Sequence, residues 1–335
     1  MMYLLFFIAA IITVFSAIKL STYADVLSER TSLGGMLVGT LLLAGATSLP
    51  EVTTSATAIF VNNPDIAIGN VLGSNLFNLL ILAVIDIIYR RRKMMTHIHK
   101  DHLSVGFIGL GLTALIFMSI INPSNVVIFG VGIECYLLII FYFIGMKLIA
   151  SKQNENTEAM LETAATELTE SHHTRAISLK RAKIGFALAA FVIFISGSLL
   201  TISGDAIAVS SGMSSSFVGS FLIAGATSLP ELVTVIVAIQ LLNYNLAIGN
   251  ILGSNIFNML ILVLVDILYR DGSILAAANP VSAITALAVI ILNIIVLGGI
   301  IMWQLKSNSK GIYSIPSLLL VVVYFVSSYL IFSFS

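Results

Sequence analysis

The chain repeats itself, and nothing else in the sequence constrains its fold as strongly. Residues 44–59 read AGATSLPEVTTSATAI, and residues 224–239 read AGATSLPELVTVIVAI. Residues 67–82 read AIGNVLGSNLFNLLIL, and residues 247–262 read AIGNILGSNIFNMLIL. The offset is 180 throughout, without a gap, and 29 of the 47 positions from 44 to 90 are identical to their partners. Apolar bias alone does not reproduce Thr, Ser, Glu and Asn in one order twice, so the halves stem from a duplication. Any fold of this chain must give the two copies equivalent places.

The surroundings of these copies are very apolar. Of 335 residues 58% are hydrophobic and only 10% charged, with 16 basic against 16 acidic. Soluble domains carry about 25% charged residues, so an ordinary soluble enzyme, a nucleic-acid binder and a disordered chain are excluded. The single cysteine, Cys135, excludes an intrachain disulfide framework and a multi-cysteine metal site. A membrane helix needs about 20 mostly apolar residues. Ten such runs are present, near 3–20, 32–60, 66–89, 103–121, 126–148, 184–203, 213–242, 246–269, 280–303 and 314–333. They are continuous and do not alternate with period two, which argues against a membrane β-barrel. No basic residue precedes the first run and no small-residue cleavage site follows it, so it reads as a retained span.

Five spans per half is an odd number, so the second half must enter the membrane upside down relative to the first. The expected fold is an all-α membrane protein of ten transmembrane helices in two inverted five-helix repeats. Residues 1–150 form the first repeat, 151–182 a cytoplasmic linker and 183–335 the second repeat. Inverted repeats recur among secondary transporters, whose sites lie near the midplane. Orientation follows from the basic residues. With both termini outside, Arg270 is the only one of the 16 on the outer side, a strong positive-inside bias. The acidic-then-basic stretch 151–182 reads as a solvated connection, too short for a folded regulatory domain.

The duplicated polar residues fall inside spans. Pro50 and Pro230 cannot donate to the carbonyls of Ala46 and Ala226, and each ring pushes that carbonyl away. The second and seventh spans should therefore break there, and free backbone at membrane depth is tolerated only in protein or along a cavity. Glu51 and Glu231 lie about 19 residues into those long spans. An ionised carboxylate at that depth costs several kcal/mol unless compensated, and no Lys or Arg is available at that depth. A metal cation is the natural compensating charge. Carboxylates, the Thr47 hydroxyl one turn away and freed carbonyls make an all-oxygen set, which suits hard cations such as Ca²⁺ and Na⁺ and not Zn²⁺ or Cu⁺. Asn70, Ser74 and Asn78, repeated as Asn250, Ser254 and Asn258, form a polar stripe at helical spacing. The bland alternative for such Ser and Asn is interhelical hydrogen bonding, and for the prolines a mere kink.

Other polar residues are read as structural. Asp86 and Asp266 each precede an arginine by four, Arg90 and Arg270, and are expected to form ion pairs near helix ends. Glu134 is expected to snorkel outward. His97, His99 and His102 lie in a basic loop and read as a solvated, lipid-facing patch. No HExxH, P-loop or GxSxG motif supports an enzyme, and no cofactor is implied.

The paired ATSLPE and GNxxGSNxxN segments resemble the α-repeats of the calcium/cation antiporter superfamily, the sodium/calcium exchangers, and most of all its prokaryotic type. The resemblance is strong over 39–90 and 219–270. It implies ten helices around four neighbouring cation sites that Na⁺ and Ca²⁺ occupy in turn. Carried onto matching positions, Glu51 and Glu231 are the central carboxylates shared by both ions. Thr47 and Thr227 add oxygens for Ca²⁺. Ser48, Ser228, Ser74 and Ser254 flank as Na⁺ ligands, the carbonyls of Ala44 and Ala224 supply backbone oxygens, and Asn78 and Asn258 border the middle site. In the best-known prokaryotic members the second of these is an aspartate, where this chain has Asn258. The resemblance also implies that spans one and six slide across the other eight.

The expected activity is therefore Ca²⁺ exchange for Na⁺ across the cell membrane, with lipid and these ions as partners and a monomer sufficient for function. A proton-coupled Ca²⁺ exchanger is the alternative within transport. A cation channel and a non-transporting scaffold are the alternatives of other classes. The topology has a direct test. In a Cys135-free background, Arg91→Cys and Gly272→Cys should react with an impermeant thiol reagent from opposite sides of the membrane. Reaction from one side would break the inverted-repeat reading.

Overall fold

The structure, a computed structural model, describes residues 1–30, 45–99, 101–124, 126–164, 177–305 and 313–334. It is nearly all helical. In chain order the helices are α1 (Met2–Arg30), α2 (Leu49–Phe60), α3 (Pro64–Ile88), α4 (Asp101–Ile121), α5 (Ile133–Ala164) and α6 (Leu179–Ser211). They continue as α7 (Ser215–Thr227), α8 (Leu229–Gln240), α9 (Tyr244–Leu268), α10 (Pro280–Leu305) and α11 (Ile315–Ser333). Among the described residues seven of these are long and apolar enough to cross a membrane, and the bent pair α7–α8 makes an eighth crossing if it is one span. The expected ten are thus not all matched. Part of the second expected span, with Ala44, lies outside the described residues.

Local chemistry sets several helix ends. Asn63 and Asn243 cap α3 and α9, each accepting from the backbone N–H three residues on, at Ile66 and Leu246. Ser178 caps α6 through the N–H of Arg181, and Gly212 ends that helix at φ 73°, where a side chain would be strained. Inside α7, residues Val218–Ile223 form a π-helical turn.

Three boundaries differ from the sequence expectation. A two-stranded hairpin, β1 (Val127–Ile128) against β2 (Val131–Gly132), occupies what was expected to be the start of the fifth span. Its two turn residues, Phe129 and Gly130, both have positive φ, as a type I′ turn requires. The helix α5 starts only after this hairpin and runs on through Ala164, past the expected end at 148, into the stretch read as linker. The first helix likewise continues to Arg30, because nothing between residues 20 and 30 breaks a helix.

The helices α3 and α9 form the centre. The first touches α2, α7, α9, α10 and α11, whereas α1 lies mainly against α6. Both central helices are buried around most of their circumference. A helix that is apolar all round belongs in such a place. In the first copy the glycines of the duplicated motif make the packing possible, whereas Gly253 of the second has nothing within 4 Å. A Cβ on Gly73 would sit 2.3 Å from the carbonyl oxygen of Ser220, and one on Gly69 would sit 2.8 Å from that of Ser216. Backbone of α3 thus rests directly on backbone of α7, as small residues allow in membrane bundles.

Asp86 and Asp266 correct the ion-pair expectation. Both are buried, at 1% and 0% exposure, and neither pairs with its arginine. The hydroxyls of Tyr313 and Ser317 donate to the two oxygens of Asp86. The backbone N–H groups of Gly132 and Ile274 donate to Asp266 at 2.8 and 2.7 Å. Burial and the neighbouring Asp86 carboxylate hold the Tyr313 hydroxyl well above its ordinary range, so it stays a donor. Glu134 does not snorkel. It is buried and accepts from Ser124 N at 3.2 Å and Ser273 Oγ at 3.4 Å. His97 and His99 are exposed as expected, and His97 stacks on Tyr244.

The glycine contacts yield a stability test. Gly73→Ala should destabilise the protein by about 1–3 kcal/mol, because backbone must move to admit the methyl group. Gly109→Ala should be neutral or stabilising. Its Cβ meets Ile256 at an ordinary 3.5 Å, and alanine favours the helix by up to about 1 kcal/mol. Thermal unfolding in detergent checks both. Equal melting temperatures for the two variants would contradict the close approach of α3 and α7.

Candidate functional site

The site grows out of two proline-started helices. Pro50 and Pro230 stand at the start of α2 and α8, where a missing N–H costs nothing. The chain turns at Ser48 and at Ser228, and the α7–α8 pair bends there by 40°. Glu51 and Glu231 therefore occupy the first turns of their helices, where the positive end of the helix dipole favours a carboxylate. Serine at such a position ordinarily caps the helix with its own oxygen. Neither Ser48 nor Ser228 does so, and both Oγ atoms are buried without a partner.

Both carboxylates are 1% exposed. Glu51 lies against the hydroxyls of Thr227 and Ser74, and Glu231 lies against Thr47. Across the halves, Thr47 Oγ1 and Ser254 Oγ are 3.5 Å apart, and Ser74 Oγ and Thr227 Oγ1 are 3.4 Å apart. The second pair is the first with each residue moved by the repeat offset. The same exchange holds for asparagines. Asn78 Nδ2 donates to Asn255 Oδ1, and Asn258 Nδ2 donates to Asn75 Oδ1, both at 2.9 Å. Reciprocal contacts of this kind are the signature of a two-fold relation between the copies.

The unpaired atoms define the site's chemistry. Among the described residues, Ser48 Oγ, Ser228 Oγ, Glu51 Oε2, both carboxylate oxygens of Glu231, Asn78 Oδ1 and Asn258 Oδ1 are buried with no hydrogen-bond partner, as is the Asn255 Nδ2. Buried polar atoms nearly always have partners, and two unpaired carboxylates among further oxygens suit an outside positive group. Every one of these oxygens belongs to a residue singled out from the sequence. Two carboxylates with neutral hydroxyl and amide oxygens form a hard donor set, suited to Ca²⁺ or Na⁺.

The other expected ligands are arranged as follows. Thr47, Thr227, Ser74 and Ser254 are all fully buried and join the carboxylates as described. The Ala224 carbonyl is not freed by the break as expected: it accepts from Ser228 N at 3.0 Å and from Thr227 Oγ1 at 3.3 Å. Asn70 is a hub: its Nδ2 reaches Thr54 Oγ1, Ser55 Oγ and Glu51 O at 2.7, 2.9 and 3.3 Å. The Nδ2 of its duplicate Asn250 has no partner among the described residues; Val235 stands at the place of Ser55, although Thr234 keeps that of Thr54. Sequence reasoning missed Asn75 and Asn255. Their one signal was the duplication itself, since they lie off the Asn70–Ser74–Asn78 stripe.

A sequence profile described as "Sodium/calcium exchanger protein" matches residues 1–150 and 182–333. A putative antiporter, CaxA, from Alkalimonas amylolytica is 28% identical over 273 residues, covering 81% of this chain and 82% of the relative. The sodium/calcium exchanger MaX1 from Methanosarcina acetivorans is 25% identical over 319 residues, covering 84% and 87%. The crystal structure of an H⁺/Ca²⁺ exchanger, CAX, superposes with a TM-score of 0.65 at 13% identity over 98% of this chain and 88% of that one. At that identity the likeness is one of fold.

The proline breaks are testable on their own. Pro230→Ala restores an N–H that can close on the Ala226 carbonyl, and Pro50→Ala does the same at Ala46. Apparent cation affinity should weaken several-fold, with little loss of thermal stability, because one hydrogen bond is worth about 1 kcal/mol. Unchanged affinity in both variants would mean that the prolines only bend the chain.

Proposed function

From the premise that this chain belongs to the sodium/calcium exchanger protein family, we propose that it is a secondary antiporter exchanging Ca²⁺ for Na⁺. The observation that carries the reading is the set of buried oxygens on Glu51, Glu231, Ser48, Ser228, Asn78 and Asn258 that have no hydrogen-bond partner among the described residues. Thr47, Thr227, Ser74 and Ser254 complete the set, with the backbone oxygen of Ala44. The ions are cargo, and no cofactor takes part. The fold we infer is ten spans in two inverted repeats, 1–150 and 183–335, with 151–182 as a cytoplasmic linker. The protein lies in the cell membrane with both termini outside. The 180-residue repeat, the reciprocal contacts and the placement of basic residues support this arrangement.

The mechanism follows from charge. Two ionised carboxylates in an apolar wall are costly, and a divalent ion cancels them. Two Na⁺ do the same, so either cargo neutralises the site. Returning the site empty would carry both negative charges through the barrier. Exchange of one cargo for another is therefore easier than net flow. Accessibility alternates between the two sides, and the ion gradient supplies the drive.

Glu51→Gln and Glu231→Gln should each reduce Na⁺-driven Ca²⁺ uptake into proteoliposomes nearly to background. Each variant leaves one negative charge for a divalent ion. Protonation has the same effect, so the apparent Ca²⁺ affinity of the unaltered protein should fall as pH falls. Normal transport by both variants would move the site elsewhere. Uptake driven by a proton gradient with no response to Na⁺ would replace Na⁺ by H⁺ as the coupling ion. Ca²⁺ flux without any counter-ion would make the protein a channel.

A further inference from the structure

The Asn75 and Asn255 side chains belong to no expected ligand set, yet they sit inside the site and are 1% and 3% exposed. Each bonds the site asparagine of the other copy. We propose that Asn75 and Asn255 are positioning residues that turn the amides of Asn258 and Asn78 so that oxygen, not nitrogen, faces the cation. The proposal rests on the reading of Glu51 and Glu231 as cation ligands and deepens it.

An asparagine amide has two unlike ends. One is an acceptor oxygen, the other an NH₂ group that only donates. Turned by 180°, Asn78 or Asn258 would present its donor end to a cation and repel it. In the structure the Nδ2 of Asn258 is committed to Asn75 Oδ1, and that of Asn78 to Asn255 Oδ1. The Oδ1 atoms of Asn78 and Asn258 are consequently the free ends, buried and without donors. Flipping Asn258 alone would set its oxygen against Asn75 Oδ1 at hydrogen-bond distance, and flipping Asn78 alone would do the same against Asn255 Oδ1; the Asn255 Nδ2 has no partner among the described residues, so Asn75 is the better anchored of the two. The Asn75 amide is itself fixed, because its Nδ2 donates to the backbone oxygen of Asn255 at 3.0 Å. Its Oδ1 is thereby the end left for Asn258.

The arrangement also explains why α3 and α9 must keep their register. Asn78 lies one helical turn beyond Ser74, which touches Thr227 and Glu51. A shift of one central helix along the other would break both amide bonds and turn both ligand oxygens away. The lattice thus couples the geometry of the two copies at the cation.

Double-mutant cycles test this, because a residue acting only through another has no further effect once that other is gone. Half-saturation for Na⁺ and for Ca²⁺ is measured in proteoliposomes for Asn75→Ala, Asn258→Ala and the double variant. A second cycle uses Asn255→Ala and Asn78→Ala. Asn75→Ala should raise half-saturation for at least one ion about five-fold, equivalent to ~1 kcal/mol. The double variant should match Asn258→Ala. A purely structural role would lower thermal stability and leave half-saturation unchanged, or would add in full to Asn258→Ala, and either result overturns the proposal. If a variant of one cycle does not fold, the other cycle decides. Transport that persists in Glu51→Gln and Glu231→Gln would instead refute the ligand reading, and that result is separate from either cycle.

Discussion

Two carboxylates buried in an apolar bundle without a basic partner are the condition to which the rest of this structure answers. A single charge in the bilayer centre costs several kcal/mol by insertion scales, and more without water defects. Glu51 and Glu231 are both 1% exposed. Their surroundings relieve this only in part. The first turns of α2 and α8 offer dipoles, and the hydroxyls of Thr47, Thr227 and Ser74 lie alongside. Those hydroxyls can accept as readily as they donate. The neighbouring Ser48 and Ser228 hydroxyls and the Asn78 and Asn258 oxygens have no partner among the described residues. A protein keeping the pair for stability alone would place an arginine or a lysine there; neutral hydroxyls and amides leave the two charges uncancelled.

The two copies meet that demand unequally. In the first, α2 is tied by hydroxyls and amides on several sides. Asn70 reaches Thr54 and Ser55, Thr201 of α6 donates to Thr54 O, and Thr57 pairs with Ser198. In the second copy the positions matching Thr53, Ser55 and Thr57 are Val233, Val235 and Val237. That helix is held by apolar packing, with Val235 fully buried, and Asn250 keeps an unpaired Nδ2. Hydrogen bonds fix direction and spacing, whereas apolar contacts tolerate sliding at modest cost. The duplication has kept the oxygens around the two carboxylates while the backs of the two helices have diverged.

Much of this was legible in the sequence because duplication marks what both copies need. The spans at 66–89 and 246–269, the breaks before Pro50 and Pro230, and the residues bearing the unpaired oxygens follow from the repeat and from hydropathy. What was not legible depends on partners distant along the chain. An i,i+4 rule pairs Asp86 with Arg90, but the donors that win come from Tyr313 and Ser317, more than two hundred residues away. Glu134 finds Ser273 in the same manner. The Asn75 and Asn255 amides point to each other's copy, which no single helix period reveals. The hairpin at 127–132 reads as apolar sequence, and only its Phe129-Gly130 turn conformation separates it from a span.

The aspartates at the ends of the central helices show how the site keeps its geometry. Asp86 and Asp266 lie in the last turns of α3 and α9, where the helix dipole disfavours an acid. Each is nonetheless buried and doubly bonded. Asp86 takes side-chain donors at the start of α11, whereas Asp266 takes main-chain donors from β2 and from the segment after α9. The same residue type at duplicated positions thus pins two helices by different means. What the copies share is the attachment, not the partner. From Asp86 to Asn78 is eight residues, about 12 Å at 1.5 Å each. Fixing the helix end to a neighbour at that distance limits rotation and translation of the turn that bears Asn78, while the carboxylates on α2 and α8 remain on separate, shorter helices.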